Sequence, residues 1–403
     1  MLTVEQALAE ILARVRPLPT ERVPILSALG RALAEPIVSG REIPPWANSS
    51  MDGYAVRAVD TTAAPSTLTV VGAVMAGAMP ARPVAAGEAM RIFTGAPLPA
   101  GADAVVPQED TDAEDGHVML KVAVETGAYV RLRGEDLRIG AAVLGPGVAL
   151  GPAEIGVLAS LGHTQVLVHR RPRVAILSTG NELAELGREP GPAQIPNTNT
   201  YSLFAQVLEA GGEPMNLGIA ADRLESIEER LRWGAPADML LSSAGVSVGD
   251  LDLVKAALTR AGAELHLWQV SMRPGKPITF GSLHGRPVFG LPGNPVSAMV
   301  TFELFVRPAL RRMGGLNGIH RPRLAAKALA PIANPGSRRG YLRVTLERDG
   351  SRWGARLTGE QGSAILTSMV RADALAVVAG DTVVQTGEEV EVIVFRDFSV
   401  DSL

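Results

Sequence analysis

The sequence predicts a multidomain protein of the α/β-plus-β class, with a doubly wound α/β domain, a mainly β domain and a C-terminal β-barrel. Between residues 171 and 318, apolar runs typical of buried strands alternate with helical patterns at the spacing of βαβ crossovers. From residue 23 to 168 the chain is rich in glycine, proline and short apolar runs, which favours strands and turns. After residue 322, strands alternate with turns, and Asp349-Gly350 predicts a hairpin within a small barrel.

The N-terminal segment predicts an amphipathic helix. Thr3 and Gln6 have the spacing of a capping box, apolar residues recur on one face, and Pro17 ends the pattern. In the α/β region the pattern predicts, in chain order, a strand at 173–178, a helix at 200–210, a strand at 215–219, a helix at 223–233, a strand at 238–243, a helix at 251–261, a strand at 264–270, a β-pair at 278–290 and a helix at 296–312. Because strands joined by helical crossovers lie parallel, their carboxyl ends share one edge of the sheet.

The composition restricts the classes of function. A net charge of −4 argues against an extended nucleic-acid surface. The chain contains no cysteine, which excludes disulfides, thiolate catalysis and cysteine-ligated metals and fits a reducing compartment. The first residues lack the pattern of a secretory signal, and no apolar run reaches the roughly 18 residues of a membrane span. We therefore expect a cytoplasmic protein that binds neither nucleic acid nor a membrane.

Three turns rich in small residues follow predicted strands. In the Leu-Pro-Gly-Asn-Pro-Val-Ser motif at 291–297, two prolines and a glycine fix the turn, and Pro295 falls in the first turn of a helix. The free N–H groups of a helix N-terminus, together with the Ser297 hydroxyl, suit an anion, although the segment can also be a simple strand-to-helix turn. Similar turns at 178–183 and 242–250 predict a ligand site at this edge of the sheet.

Six ordered motifs resemble those of the molybdopterin molybdenumtransferases, the MoeA-type insertases to which the C-terminal domain of gephyrin also belongs. They span nearly the whole chain and lie at 48–57, 91–97, 178–183, 242–249, 273–277 and 291–297. The resemblance implies four domains and elongated homodimers with active sites shared between subunits. The expected domains are a discontinuous N-terminal domain of 1–45 and 137–170, a mainly β domain of 46–136 with the Asp-Gly-Tyr motif, an α/β molybdopterin-binding domain of 171–318 and a C-terminal β-barrel domain of 319–403.

The resemblance also implies a reaction. Family members transfer molybdenum from molybdate to the dithiolene sulfurs of adenylylated molybdopterin, release AMP and require a divalent cation, usually Mg²⁺. The pterin supplies the sulfur, so the enzyme itself needs no cysteine. Candidate protein partners, besides a second copy of the chain, are the molybdopterin adenylyltransferase and the enzymes that accept the finished cofactor.

Four residues match catalytic positions of the family. Asp52, Glu182 and Asp252 are the expected Mg²⁺ ligands, because carboxylate oxygens suit this ion. Thr94 is expected to orient a phosphate or only to stabilise its turn. Two of the carboxylates also have structural interpretations: Asp52 as an Asx-turn residue before a glycine, and Glu182 as a first-turn helix carboxylate.

The remaining family matches are expected to bind substrate. For Asp136 the alternative is an ion pair with neighbouring arginines, and for Asp222 it is a helix N-cap. The alternatives are a solvated turn lysine for Lys276 and a surface ion pair for Arg343. Many relatives carry lysine where this chain has Arg273, and arginine offers a planar fork of donors instead. The other matches are Ser243, Gly245, Ser247, Pro292, Pro295, Ser297, Ser363 and Ser368.

Three other functions stay open at this point: a tungsten-specific paralogue, a non-catalytic scaffold of the gephyrin type, and the preceding adenylylating enzyme, which shares the α/β domain. The adenylylating enzyme lacks the Asp-Gly-Tyr domain and the β-rich C-terminus. The presence of Asp52, Glu182, Asp252 and Lys276 argues against a purely structural role. Molybdenum insertion is therefore the expected function.

Overall fold

The computed structural model describes residues 1–243, 253–350 and 352–396. By its internal contacts the chain divides into two compact, discontinuous units. The first unit comprises Met1–Ala34, Pro146–Gly151 and Gln165–Leu403, and the second comprises Glu35–Gly145 and Pro152–Thr164. The multidomain class predicted from the sequence is confirmed, whereas the finer division into four domains stays a prediction.

A six-stranded sheet forms the centre of the first unit. Its strands lie in the order Glu213–Ala220, Arg173–Thr179, Met239–Ser243, Arg286–Leu291, Pro277–Leu283 and Glu264–Gln269. The first four strands are parallel, and the last two are antiparallel to their neighbours. Along the strand Arg173–Thr179, Val174 and Ile176 enter one hydrophobic core, and Ala175 and Leu177 enter another. Successive side chains point to opposite faces, so the sheet is covered on both sides, as a doubly wound domain requires.

Helices pack on both faces of this sheet. The capping box of Thr3 and Gln6 is formed at the first helix, and the helix predicted at 296–312 begins at Pro295 and contains a π-helical turn. The α-helices of the first unit are Val4–Arg14, Thr198–Glu209, Leu224–Trp233, Leu253–Arg260, Pro295–Thr301, Arg307–Met313 and Thr367–Arg371, with a π-helix at Phe302–Val306 and a 3₁₀-helix at Ile25–Ala28.

Five strands near the C-terminus close into a barrel. In barrel order they are Arg339–Asp349, Arg352–Leu357, Arg323–Ala328, Glu389–Val394 and Ala374–Val378, and the last pairs with the first. Asp349 pairs with Arg352 across the predicted hairpin. The short strand Met272–Arg273 adds to the barrel beside Arg339–Asp349. This pairing joins a motif of the α/β domain to the barrel.

The second unit is mainly β, as predicted. Its six-stranded sheet has the order Ala104–Pro107, Gly53–Val56, Glu88–Ile92, Ser66–Val74, His117–Leu120 and Thr111–Glu114. Gly53 pairs with a strand on each side, Glu88–Ile92 and Ala104–Pro107. A β-carbon at this position would overlap the Val106 carbonyl oxygen. Glycine is therefore required directly after Asp52. The unit also contains the α-helix Pro152–Ser160 and 3₁₀-helices at Ala58–Thr61 and Gln108–Asp110.

The remaining strands form short pairs. In the first unit these are Thr20–Pro24 with Gln165–His169, Leu183–Ala184 with Ile195–Pro196, and Ile332–Asn334 with Thr382–Val384. In the second unit they are Ile37–Val38 with Ala142–Leu144, and Asn48–Ser49 with Val130–Arg131. Within the described ranges, no helix is long and apolar enough to span a membrane.

Candidate functional site

A cavity of about 690 Å³ opens in the first unit at the carboxyl edge of the parallel strands. Its lining comes from Arg273–Pro277, from the turn after the strand Arg286–Leu291 and the helix that follows it, and from Arg338 and 361–363, which flank barrel strands. Among the described residues, the charged ones that line it are Arg273, Lys276 and Arg338, and none is a carboxylate. We call this site the cationic cavity. Three positive charges without an acidic partner among the described lining residues favour an anionic ligand.

Arg343 lies behind one wall of the cationic cavity and is fully buried. Its Nε donates to the Ser368 hydroxyl at 3.0 Å, and its Nη2 donates to the carbonyl of the cavity residue Gly362 at 3.0 Å. Its Nη1 is buried without a hydrogen-bond partner among the described residues. Burial, reinforced by the charge of Arg273, lowers the pKa of Arg343 to about 10. The surface-ion-pair interpretation is therefore wrong, because Arg343 is a buried cation that pairs with no described carboxylate.

The proline-rich turn forms another wall of the cationic cavity. Pro292 and Ser297 both line it, and Ser297 is buried. Pro295 occupies the first turn of its helix, as the sequence predicted. The preceding residue, Asn294, donates from Nδ2 to the Ser363 hydroxyl at 3.0 Å, which ties the turn to the barrel loop.

Lys276 is exposed at the cavity wall and has no ion pair with any residue that the structure describes. Its backbone carbonyl accepts from the Val270 N–H at 3.0 Å, which fixes the loop. Both interpretations of Lys276, as a solvated turn lysine and as an anion contact, are compatible with this position. Because Lys276 lines a cavity to which no described residue contributes a carboxylate, an anion in the cavity is a favourable counter-charge.

Asn199 connects two of the predicted turns and was not predicted as a site residue from the sequence. Its Nδ2 donates to the Ser243 hydroxyl at 2.8 Å and to the Gly293 carbonyl at 2.7 Å, while its Oδ1 is buried without a partner among the described residues. The available signal was the polar run Asn-Thr-Asn-Thr at 197–200, which begins a predicted helix. Asn197 caps that helix, and its Oδ1 also accepts from the Ser178 hydroxyl at 3.3 Å, near the end of the strand Arg173–Thr179.

Glu182 and Asp222 lie on adjoining loops. The Asp222 carboxylate accepts from the Asn181 N–H at 3.1 Å, and the Asn181 side chain accepts from the Asp222 N–H at 3.2 Å. Asp222 is not a helix cap, because the N-cap position of Leu224–Trp233 is Arg223 and no side chain caps it. The helix interpretation of Glu182 is also wrong: this exposed carboxylate is followed by the strand Leu183–Ala184.

Three predicted site residues, Gly245, Ser247 and Asp252, lie outside the described residues. Their assignments therefore stay predictions. In the rest of the chain, across 1–243, 253–350 and 352–396, no group of three or more histidine, aspartate or glutamate side chains is arranged to hold a metal ion.

In the second unit the structure brings Asp52 and Thr94 together. Oδ1 of Asp52 accepts from both the N–H and the hydroxyl of Thr94, each at 2.7 Å. These two hydrogen bonds, with a smaller contribution from the charge of Arg91, lower the pKa of Asp52. The Asx-turn interpretation is wrong, because the carboxylate contacts a residue 42 positions away. Oδ2 has no hydrogen-bond partner in the described part of the chain, which leaves it available to a ligand.

Arg91 also belongs to the site of Asp52 and Thr94, and it was not predicted from the sequence. Its guanidinium donates to the Gly53 carbonyl at 3.1 Å and to the Gln108 side chain at 2.5 Å. It also lies 5.1 Å from the ring centre of Tyr54 and 5.0 Å from that of Phe93. This packing holds a positive charge beside the strand that follows Asp52.

Asp136 shows no ion pair with a described residue. Its neighbour Arg133 pairs with Glu42 instead, so the alternative interpretation of Asp136, an ion pair with nearby arginines, is wrong. The Asp136 N–H donates to the Ile43 carbonyl at 2.9 Å, and the side chain is exposed. The exposed carboxylate remains compatible with a binding role.

Comparison with family models accounts for most of the chain. Residues 2–162 match the MoeA N-terminal region (domains I and II), residues 175–312 match a probable molybdopterin-binding domain, and residues 325–395 match the MoeA C-terminal region (domain IV). The three models occur in the order in which the sequence motifs occur.

Individual relatives agree with these matches. A molybdopterin molybdenumtransferase from Nostoc sp. is 39% identical over 93% of this chain and 88% of its own length. Molybdopterin molybdenumtransferase 1 from Mycobacterium tuberculosis is 35% identical over 97% of this chain and 98% of its own length. Two crystal structures of a molybdopterin biosynthesis MoeA protein from Pyrococcus horikoshii superpose with TM-scores of 0.80 and 0.83, at 34% and 31% identity. They cover 99% and 98% of this chain, and all of theirs.

Proposed function

Because this chain belongs to the MoeA-type family of molybdopterin molybdenumtransferases, we propose that it transfers molybdenum from molybdate to adenylylated molybdopterin. The dithiolene sulfurs of the pterin receive the metal, the phosphoanhydride is cleaved, and AMP leaves. The class of enzyme is a transferase of molybdenum cofactor biosynthesis. The choice of an adenylylated substrate and the release of AMP are part of the proposal.

The observation that supports this function most directly is the cationic cavity. Of the residues that the structure describes, Arg273, Lys276 and Arg338 line it and no carboxylate does, and the buried Arg343 behind it has a donor that none of them uses. Molybdate is a compact dianion with four oxygen acceptors, so it suits converging cationic donors. A charge-assisted hydrogen bond contributes about 1.5–3 kcal/mol, so two such bonds contribute about 3–6 kcal/mol, which corresponds to dissociation constants from several millimolar down to tens of micromolar.

The carboxylates fit the Mg²⁺ that the family requires. Asp52 keeps one oxygen without a partner among the described residues, and its lowered pKa keeps it ionised. Glu182 is exposed on its loop. Oxygen donors of this kind are the ligands that Mg²⁺ prefers, and nitrogen and sulfur donors are not needed. We propose that Asp52, Glu182 and Asp252 hold the ion, which would offset the negative charge of the phosphoanhydride.

The chain's own residues then have separable tasks. The Thr94 N–H and hydroxyl hold Asp52 in one orientation. Asn199 ties the Ser243 strand end to the Gly293 turn, which keeps the walls of the anion site in register. The result is a preformed geometry, and preformed geometry lowers the entropic cost of bringing two substrates together.

We further propose a cytoplasmic homodimer in which each active site uses both subunits. The Asp52 and Thr94 pair lies on one compact unit of the chain, and the cationic cavity lies on the other. The molybdopterin adenylyltransferase and the enzymes that accept the cofactor are the proposed handover partners.

Mixing subunits tests the shared site. Asp52→Ala and Lys276→Ala homodimers should each have little activity, whereas a mixed dimer should regain one intact site of its two. After verified exchange, an equimolar mixture contains half mixed dimers, so about a quarter of the parent activity is expected. Exchange without any recovery would contradict a shared site.

A single turnover tests the reaction itself. Purified protein is mixed with adenylylated molybdopterin, molybdate and Mg²⁺, and AMP and metallated pterin are measured over time. Release of both products supports the proposal, whereas ATP-dependent formation of adenylylated pterin would indicate the preceding step. Parallel reactions with tungstate distinguish a tungsten-specific enzyme, and the absence of any turnover would leave a scaffold.

A further inference from the structure

A second cavity, of about 410 Å³, lies at the opposite edge of the sheet from the cationic cavity. Met239 and Val288 line it, and they lie at the amino ends of the strands Met239–Ser243 and Arg286–Leu291. The cationic cavity adjoins the carboxyl end of Arg286–Leu291. Five to six residues of strand separate the two edges by about 15 Å, so a ligand in one cavity does not touch the other. We call the second site the amino-edge cavity.

The floor of the amino-edge cavity is apolar. Leu231, Ala237 and Met239 are buried and contribute to it, and Leu283 lies beside them. The volume falls within the range of about 300–1,000 Å³ that is usual for small-molecule sites. Apolar walls of this kind gain free energy when an apolar group displaces water from them.

The rim of the amino-edge cavity is cationic. Arg232, Arg260 and Arg286 line it, and Glu228, the one acidic residue among the described lining residues, pairs with Arg260 at 3.2 Å. Arg286 donates to the carbonyl of Ala235. The side chain of Arg232 forms no hydrogen bond or ion pair with any residue in the described ranges. A net positive charge therefore remains at the rim, although the chain as a whole is acidic.

We propose that the amino-edge cavity binds a small amphipathic anion, with an apolar body about the size of one or two fused rings and one carboxylate or phosphate group. The apolar body packs on the floor, and the anionic group meets Arg232 at the rim. The inference does not depend on molybdenum transfer, because none of its residues lines the cationic cavity.

The position of Arg232 requires a matched control. It lies in the last turn of the helix Leu224–Trp233, where a cation is favourable even without a ligand. Arg312 lies in the last turn of Arg307–Met313 and, like Arg232, has no side-chain partner among the described residues. Replacing Arg312 therefore removes a similar charge at a helix end outside the cavity.

Calorimetric titration of the full chain tests the proposal with two probes, 2-naphthoate and its neutral analogue 2-naphthylmethanol. The parent protein should bind the carboxylate at least about tenfold more tightly than the alcohol, because one charge-assisted contact is worth that factor or more. Arg232→Gln should abolish the preference, while Arg312→Gln should keep it. Ala235→Trp, at an exposed residue of the cavity lining, should block both probes.

Several results would overturn the proposal: no binding of 2-naphthoate, equal affinity for both probes in the parent, or unchanged binding in Ala235→Trp. Binding of an acidic apolar peptide in place of the naphthoate would indicate a protein partner instead. Arg232→Gln leaves the backbone contacts intact, so it tests the charge even if the tryptophan variant does not fold. The single-turnover rate with molybdate should be the same in the parent and in Arg232→Gln, which separates this proposal from the proposed function.

Discussion

Replacing Arg343 with methionine separates the contribution of a buried charge to stability from its contribution to anion binding. Arg343 donates two hydrogen bonds, to Ser368 and Gly362, each at 3.0 Å. Losing both costs about 3–6 kcal/mol, since a hydrogen bond to a charged group contributes about 1.5–3 kcal/mol. Burial works in the opposite direction, because it lowers the pKa of Arg343 from its ordinary value to about 10. That shift corresponds to about 3 kcal/mol that the charged form loses on folding.

The lost hydrogen bonds and the relieved burial of charge largely offset each other, so Arg343→Met should lower the free energy of unfolding by only about 0–3 kcal/mol. Replacing a buried charge with an apolar side chain of similar length is often close to neutral for this reason. The pH dependence follows from the same shift. Below pH 10 the Arg343 side chain is charged in both states, so the full cost of burying its charge lowers the free energy of unfolding. As the pH rises from about 10 towards the pKa of the unfolded state, the folded state releases its proton first, and the free energy of unfolding therefore increases. Between pH 7 and 9 the difference between parent and variant should therefore be constant.

Anion binding should respond much more strongly. At a molybdate concentration of 100 times the dissociation constant, the parent gains about 2.7 kcal/mol of stability. If Arg343 supplies one charge-assisted contact, the variant binds about ten- to a hundred-fold more weakly, and the gain at the same concentration falls to about 0.4–1.4 kcal/mol. Urea unfolding with and without molybdate measures both quantities.

Arg356→Met is the matched control, since Arg356 lies on the same barrel and forms an exposed pair with Glu347 at 3.4 Å. It should leave the stabilisation by molybdate at the parent value. The reasoning is refuted if Arg343→Met retains the full gain with molybdate, or if it unfolds the protein without the expected compensation.

Two further substitutions test how the sites are built. Thr94→Val keeps the N–H bond to the neighbouring carboxylate but removes the hydroxyl, so the single-turnover rate should fall about tenfold; Thr62→Val, in the same unit, should not change it. Gly275→Ala adds a methyl group 2.6 Å from the Thr301 hydroxyl at a φ of +103°, and should destabilise by about 3 kcal/mol. Gly285 also has a positive φ, of +79°, but a methyl group added there meets nothing within 4 Å, so Gly285→Ala should lower the free energy of unfolding by only about 1 kcal/mol. Urea unfolding measures both losses, and equal losses in the two variants would contradict a packing effect.

The local features of the fold were predictable from the sequence. The buried strand Arg173–Thr179 and the helix start at Pro295 depend on apolar runs and on proline, whose effects act within a few residues. The C-terminal hairpin depends on the Asp349-Gly350 pair in the same way. Interruptions such as the π-helical turn at Phe302–Val306 leave no comparable mark in the pattern.

The partners of the site residues were not predictable, because they depend on contacts that are distant in sequence. Asp52 meets Thr94 across 42 positions, and Asp222 meets Asn181 across 41. A strand pattern does not reveal that Arg343 is buried, since its burial requires the barrel to close against the residues around Ser368. Local alternatives, such as an Asx turn or a helix cap, were therefore reasonable but wrong.

The two groups of site residues have opposite, incompletely compensated charge. In the first unit, Arg343 is buried without a described carboxylate partner, and Lys276 lies at a cavity wall whose described residues include no carboxylate. In the second unit, Asp52 keeps an ionised oxygen that no described residue satisfies. An unpaired buried charge costs stability, so folding alone does not favour the arrangement of Arg343. The proposed substrates would meet both groups: molybdate would bring an oxyanion to the first, and a Mg²⁺-bound phosphoanhydride would bring a divalent cation to the second.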